Sequence, residues 1–141
     1  MMAPASERFP YVERSLQPGI SGRMPYIPLT LSYHDASLSS FGLLDTGATV
    51  NVLPYELGLQ LGGHWDQQRV KLELSGNLSR VEARALAVHV KLGSFAPVLL
   101  GFAWIRSNEA PLLLGQVNFF AEFNVCFFRS QGYVEIKSTK S

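Results

Sequence analysis

The sequence has few of the residues that form disulfides and metal centres. It contains a single cysteine, Cys126, so no disulfide can form within the chain. Its three histidines, His34, His64 and His89, show no ligand spacing with one another or with Cys126. We therefore expect no metal site and no cofactor. Cys126 is predicted to be a small buried apolar residue, as free cysteines often are.

Charged residues and long apolar runs are also scarce. The net charge is +1 and no basic cluster occurs, so nucleic acid is not an expected partner. The longest apolar run, residues 95–105, is interrupted by Pro97 and Gly101 and is shorter than the ~18 residues of a membrane span. Residues 1–14 lack the apolar core of a secretory signal. These absences predict a cytoplasmic protein with no membrane partner.

The chain of 141 residues has the size of one domain, and 47% of its residues are hydrophobic, enough to form a core. Residues 1–22 contain several prolines and glycines among polar residues, which predicts an irregular N-terminal leader. The folded domain is then expected to span residues 23–141. Within it, short apolar runs and turn signals alternate at close spacing.

Period-two alternation predicts a series of short strands. They are expected at residues 25–33, 39–44, 69–74, 78–92, 98–105, 111–115, 125–128 and 133–136. Residues 69–92 read as one long hairpin, and residues 54–63 and 116–123 as short helices. In the second helix, Val117, Phe120 and Ala121 are expected to face the core. Many short strands with little helix predict a small all-β barrel or sandwich.

One stretch carries a chemical signal: residues 41–54, FGLLDTGATVNVLP. Asp45 stands between two apolar runs that are expected to be buried strands. A carboxylate in such a place is costly unless it is paired or used. Gly47 allows a sharp turn without steric cost. The pattern predicts a strand, a tight turn that begins at Asp45, and a second strand.

Three motifs in this order resemble one family. They are LLDTGATVNVLP, the long hairpin after it, and PLLLGQVNFFAEFNVCFF near the end. Together they resemble the retropepsin-like aspartic proteases, the single-lobe relatives of pepsin, and are most similar to stand-alone bacterial-type members. The resemblance covers about residues 25–137. It implies an all-β, small closed acid-protease-like barrel with one or two short helices, a flap hairpin and a homodimeric assembly.

The resemblance also implies a mechanism. The chain has only one Asp-Thr-Gly, so Asp45 of each of two subunits would form the catalytic pair across a two-fold axis. Two carboxylates so close together cannot both be ionised, so they share a single proton, as in aspartic proteases generally. The pair would activate a water molecule that hydrolyses bonds in a peptide or unfolded protein, without a metal.

Further roles follow from the same resemblance. The Thr46 hydroxyl would bond to the partner's loop, Gly47 would lie close to the substrate backbone, and Ala48 would complete the loop. The expected flap tip and walls of the site are Ser75, Gly76, Asn77, Leu113, Leu114 and Gly115. The loop of residues 107–111 would lie where relatives line their side-chain pockets. Retroviral members have an acidic residue where this chain has Thr49, and Gln116 follows the later glycine. An ion pair between those two positions is therefore excluded.

Two other functions remain open from the sequence. The same dimeric barrel could bind peptides with weak or no turnover, or could act as a structural dimerisation module. In either case Asp45 would be an ordinary turn aspartate, a role that aspartates often have. An intact Asp45-Thr46-Gly47 favours the peptidase.

Overall fold

The computed structural model of the protein describes residues 6–139, which contain twelve β-strands and two short α-helices. The strands are β1 (Glu7–Pro10), β2 (Val12–Gln17), β3 (Ile20–Met24), β4 (Tyr26–Tyr33), β5 (Ala36–Leu44), β6 (Val52–Leu53), β7 (Lys71–Leu72), β8 (Ala83–Lys91), β9 (Val98–Ile105), β10 (Leu113–Leu114), β11 (Phe123–Phe128) and β12 (Tyr133–Ser138). The helices are α1 (Tyr55–Gln60) and α2 (Phe119–Glu122). No helix in this part of the chain is long and apolar enough to cross a membrane.

Six strands close into a barrel in the order β4, β5, β10, β6, β9 and β8, with β8 returning to β4. Closure depends on β8, which pairs with β9 along one edge and divides its other edge between two strands. On that divided edge, Ala83 and Arg84 pair with β7, whereas residues 89–91 pair with residues 30–32 of β4. This arrangement confirms the predicted small all-β barrel with two short helices.

Strand alternation fills the interior of the barrel. In β4 the side chains of Ile27, Leu29 and Leu31 are at most 3% exposed. In β8, Val88 and Val90 are completely buried. Successive side chains of a strand point to opposite faces, so alternate apolar residues form a continuous inner surface. The apolar alternation in the sequence coincides with the buried face of β4, whereas β8 has apolar residues on both faces, so the sequence alone did not identify its core face.

The irregular leader predicted for residues 1–22 is wrong where the structure describes it. β1 pairs antiparallel with β12, which also pairs with β11, so the N-terminal strand joins the C-terminal hairpin. Phe9 and Tyr11 are buried in the main core. β2 and β3 form a separate hairpin, whose turn includes Gly19 in the left-handed region at a φ of +79°. Residues 1–5 lie outside the described residues.

The long hairpin predicted over residues 69–92 is present only in part. β7 and β8 share two residue pairs, and residues 73–82 between them form a loop that contains the 3-10 turn Gly76–Leu78. Three apolar residues of this loop pack against the wall of the barrel: Leu74, Leu78 and Val81. The alternation that predicted a longer strand therefore comes from residues that turn inward from a loop.

Three residues near the C-terminus that were expected in the core are not buried. Cys126 is exposed, on β11 of the three-stranded sheet. Val117 is 60% exposed and Ala121 is exposed as well. The buried residue of α2 is instead Phe119, whose ring stacks on Phe123 with centroids 4.8 Å apart. The helix begins at Phe119, three residues later than the predicted start at residue 116, and Phe120, the other residue expected to face the core, does pack against it.

Candidate active site

Asp45 follows directly after β5, at a point where three strands meet. β10 lies between β5 and β6, because Leu114 pairs in parallel with Leu44 and Leu113 pairs antiparallel with Val52. The backbone N–H of Asp45 donates a hydrogen bond of 3.1 Å to the carbonyl of Leu114. The late Leu-Leu-Gly motif therefore lies directly against the Asp-Thr-Gly turn.

The turn itself is closed by the Asp45 side chain. Its Oδ1 accepts a hydrogen bond of 2.9 Å from the backbone N–H of Gly47, and its backbone carbonyl accepts one of 3.1 Å from Ala48. A Cβ at position 47 would lie 3.3 Å from the same Oδ1, so glycine keeps this close approach open. Among the described residues, the second carboxylate oxygen of Asp45 has no hydrogen-bond partner. That oxygen is free to bind water or substrate.

The buried polar residue beneath the turn is Asn51, which is completely inaccessible to solvent. Its Oδ1 accepts a hydrogen bond of 2.8 Å from the Gly115 N–H, and its Nδ2 donates one of 3.2 Å to the carbonyl of Gly101. Its backbone N–H donates a bond of 2.8 Å to Oδ1 of Asn118. Asn51 thus joins the strand after the Asp45 turn to β9, to the end of β10 and to the segment before α2.

The segment that follows β10 holds the Asp45 turn from the other side. The side-chain Nε2 of Gln116 donates a hydrogen bond of 2.8 Å to the Thr46 carbonyl, and its backbone N–H donates one of 2.9 Å to Ala48. The Val117 N–H donates to the Thr49 carbonyl at 2.8 Å. Where an ion pair was excluded on sequence grounds, neutral hydrogen bonds from Gln116 and Val117 connect the two segments.

A cavity of about 930 Å³ opens over the Asp45 turn. Its lining residues come from the turn, from the loop after β7 and from the loop before β10: Asp45, Gly47, Ala48, Thr49, Val50, Val52, Glu73, Leu74, Ser75, Asn77, Leu78, Glu109, Ala110, Pro111 and Leu113. Pockets of several hundred Å³ are the size that holds small molecules and peptide side chains. This cavity is therefore the candidate site.

The structure brings most of the residues named from the sequence to this cavity. Six of them line it: Asp45, Gly47, Ala48, Ser75, Asn77 and Leu113. The other four do not: Thr46, Gly76, Leu114 and Gly115. Thr46 is exposed, Gly76 lies in its turn at a φ of +65°, and Leu114 and Gly115 are buried behind the wall. Leu114 and Gly115 can therefore position the wall but do not form its surface.

Sequence reasoning missed several residues of the site. Asn51 interrupts the apolar run of residues 50–53, and a single polar residue in such a run was the available signal for a buried hydrogen-bonding role. Glu73 carried no such signal, because its position over the turn depends on the closed barrel, whereas Glu109 lies in the loop of residues 107–111 that the resemblance had placed beside side-chain pockets. The cavity carries acidic charge from Asp45, Glu73 and Glu109, and none of its described lining residues is basic.

The donor set does not favour a metal ion. Among residues 6–139, no group of three or more His, Cys, Asp or Glu side chains is arranged to hold one. Asp45, Glu73 and Glu109 line one cavity but do not converge as such a group.

The fold matches a solved structure. It is similar to the crystal structure of a retropepsin-like aspartic protease from Rickettsia conorii, with a TM-score of 0.54 and 15% sequence identity over 96% of each chain. The chain has a retropepsin-like fold. Its sequence matches no protein-family model and no curated protein. At this level of identity the likeness concerns the fold, so function must be argued from the residues of the cavity.

Proposed function

We propose that the protein is a homodimeric aspartic endopeptidase that hydrolyses bonds in peptides or unfolded protein. The observation that carries this proposal is the position of Asp45. It lies on a turn fixed by β10 and by Gln116, on the wall of a cavity of about 930 Å³, in a barrel of retropepsin-like fold. One oxygen of its carboxylate is committed to the turn, and the other is free for chemistry.

A dimer is required because peptide hydrolysis by this route needs a base and an acid, and one chain offers one aspartate on the turn. In a two-fold assembly the Asp45 turns of the two subunits would face each other. Thr46 supports this arrangement: it is exposed, and its hydroxyl has no hydrogen-bond partner within the described residues. In the dimer that hydroxyl would bond to the loop of the partner subunit.

The proposed reaction uses the pair of carboxylates with one proton between them. The ionised carboxylate takes a proton from a bound water, which attacks the carbonyl carbon of the scissile peptide. The protonated carboxylate donates a hydrogen bond to the carbonyl oxygen as charge develops there. Collapse of the tetrahedral intermediate breaks the C–N bond, and the carboxylate that took the proton from the water gives it to the departing nitrogen. No covalent enzyme intermediate and no cofactor take part.

The loop of residues 73–82 would serve as the flap. Ser75 and Asn77 of this loop line the cavity together with Asp45, and Leu74 and Leu78, which flank these residues, pack against the barrel wall. Backbone groups near Ser75 would hydrogen-bond an extended substrate, in the manner of an added strand. Closure of such a loop would exclude water from the reacting groups. The strands on either side of this loop, β7 and β8, share only two residue pairs, fewer than in the flap hairpin expected from the sequence.

The decisive test is incubation of the purified protein with a library of unfolded peptides, with product analysis by mass spectrometry. Asp45→Asn serves as the inactive control, and Asp66→Asn, at an exposed site in a 3-10 turn away from the cavity, serves as the matched control. Cleavage by the wild type and by Asp66→Asn, but not by Asp45→Asn, supports the proposal. A peptide with a hydroxyl in place of the scissile carbonyl should inhibit, because it resembles the tetrahedral intermediate.

A peptide-binding module without turnover is the second candidate function. The observation behind it is the hydrogen bond from Gly47 to Asp45 Oδ1, since an aspartate that merely closes a turn makes the same contact. Binding of peptides that are never cleaved, unchanged in Asp45→Asn, would favour the module. Cleavage that depends on Asp45 would reject it.

A further inference from the structure

We infer that the site selects substrates with lysine or arginine near an apolar segment, through the carboxylates of Glu73 and Glu109. This inference rests on the proposed function, because it concerns the substrate class of the same cavity. Glu73 follows β7 and Glu109 lies in the loop before β10, so two separate segments place acid on one cavity wall. Apart from Asp45, they are the charged residues that line it.

The acidity is local to the cavity. The whole chain carries a formal net charge of +1, so no general excess of acid accounts for it. Within residues 6–139, neither Glu73 nor Glu109 forms an ion pair with a basic residue of the chain, and both are exposed. Lys71 lies on β7, two residues before Glu73, and does not line the cavity. The two carboxylates are therefore available to a cation brought by the substrate.

Glu109 is held on an anchored loop. The Tyr55 N–H donates a hydrogen bond of 3.1 Å to the Ser107 carbonyl, and the Glu56 N–H donates one of 2.9 Å to Oδ1 of Asn108. The backbone N–H of Glu109 itself donates to Oγ of Ser107 at 3.1 Å. Helix α1 thus fixes the backbone of this loop, which reduces the ordering cost when Glu109 binds a ligand.

Glu73 is placed by its apolar neighbours. Leu72 and Leu74 on either side of it pack against the apolar cluster of the barrel wall. The other residues that line the cavity are largely apolar and include Val50, Val52 and Leu113, and none of them is basic. A peptide that combines an apolar residue with a nearby lysine or arginine would match both parts of this wall.

The preference for a cationic substrate should be small, because both carboxylates are exposed to solvent. Ion pairs between exposed groups are weak, so each carboxylate should favour lysine over glutamine by about two- to fivefold at its position. The preference should fall as the ionic strength rises, because salt screens exposed charges. Glutamate at the same positions should be disfavoured by a similar factor.

The experiment uses fluorogenic peptides that share one cleavable apolar core and carry lysine, glutamine or glutamate at each flanking position in turn. The ratio of kcat/KM for the lysine and glutamine peptides is measured for the wild type, Glu73→Gln and Glu109→Gln, at low and high salt. We expect a wild-type ratio of about two to five at one or more positions, and a ratio near one where the matching carboxylate has been removed. Glu82→Gln is the matched control, since Glu82 is exposed in the same loop as Glu73 but does not line the cavity.

Two readouts separate this inference from the proposed function. Binding of the same peptides to Asp45→Asn is measured by fluorescence anisotropy, independently of turnover. Turnover without a charge preference would overturn the inference and keep the peptidase. Tighter binding of cationic peptides that are never cleaved by the wild type would keep the charge selection and reject the peptidase. Ratios in both Glu73→Gln and Glu109→Gln equal to those of Glu82→Gln, or a preference for glutamate, would also overturn the inference, and absence of both binding and cleavage would overturn both.

Discussion

The backbone N–H of Gly115 donates a hydrogen bond of 2.8 Å to Oδ1 of Asn51, in a part of the barrel that solvent does not reach. This contact joins the strand that leaves the Asp45 turn to the strand that lies beneath it. The buried side-chain amide of Asn51 is satisfied by Gly115 and Gly101, and the backbone N–H of Asn51 donates separately to Oδ1 of Asn118. The backbone of the turn thus positions Asp45, and the Asn51 side chain holds the segment beneath that turn in place.

Asn51→Ala should destabilise the protein by about 1–3 kcal/mol, because it leaves the buried Gly115 N–H without a partner and also removes the hydrogen bond to the Gly101 carbonyl. Urea denaturation followed by tryptophan fluorescence measures the change. Asn124→Ala, at an exposed position of β11, should change stability by less than about 0.5 kcal/mol. A loss for Asn51→Ala no larger than that of Asn124→Ala would show that the buried hydrogen bonds contribute little.

Gly115→Ala should be poorly tolerated for a steric reason. An added Cβ would lie 2.5 Å from the Val50 carbonyl oxygen and 2.9 Å from that of Ala48, and both are backbone atoms that cannot rotate away. Overpacking of this kind costs about 1–3 kcal/mol, and here it would also displace the Asp45 turn. We expect reduced stability and a loss of peptide cleavage in the same variant.

The control for this steric prediction is Gly101→Ala in β9. Its Cβ would meet only Asn118 Nδ2 at 3.5 Å, an ordinary contact distance. Thermal unfolding and cleavage assays on both variants make the comparison. If Gly115→Ala and Gly101→Ala unfold at the same temperature, the close approach of Gly115 to the turn does not constrain the fold.

The fold class could be predicted from the sequence because alternation is a local signal. The residues Ile27, Leu29 and Leu31 repeat at period two, and all three face the core. The partner of a strand is not local. β1 pairs with β12 at the far end of the sequence, so the prolines and glycines around β1 outweighed Phe9 and Tyr11 in the sequence-based prediction.

The candidate site likewise has features that local sequence signals predicted and features that depend on distant parts of the chain. Asp45 was evident from its motif, and the segment around Gly115 from its Leu-Leu-Gly pattern. The hydrogen bond from Gln116 to the Thr46 carbonyl and the position of Glu73 on the cavity wall both depend on barrel closure. No spacing within a loop records which other loop it will meet, so those features required the three-dimensional structure.

Asp45→Asn should abolish peptide cleavage while leaving the fold in place. The asparagine Oδ1 can still accept the hydrogen bond from Gly47 that closes the turn, so we expect a change in stability below about 1 kcal/mol. An amide cannot act as the base, so turnover should fall to background. Circular dichroism and cleavage of one defined peptide check both halves of this prediction. Cleavage at the wild-type rate, after removal of contaminating proteases, would exclude Asp45 as the catalytic group.

Removal of the Thr46 hydroxyl should weaken the active dimer without weakening the single subunit. Thr46→Val keeps the shape of the side chain, and the hydroxyl has no hydrogen-bond partner within the described residues of one chain, so unfolding of the monomer should be unaffected. If the hydroxyl bonds to the partner's loop, its loss should raise the dimer dissociation constant by about three- to tenfold, the effect of one hydrogen bond. Specific activity would then fall at higher protein concentration in the variant than in the wild type, since only dimers hold both carboxylates. Light scattering and activity measured over the same dilution series connect the two quantities. Full activity in a sample that scatters as a monomer would show that one chain suffices, and the paired-aspartate mechanism would have to be abandoned.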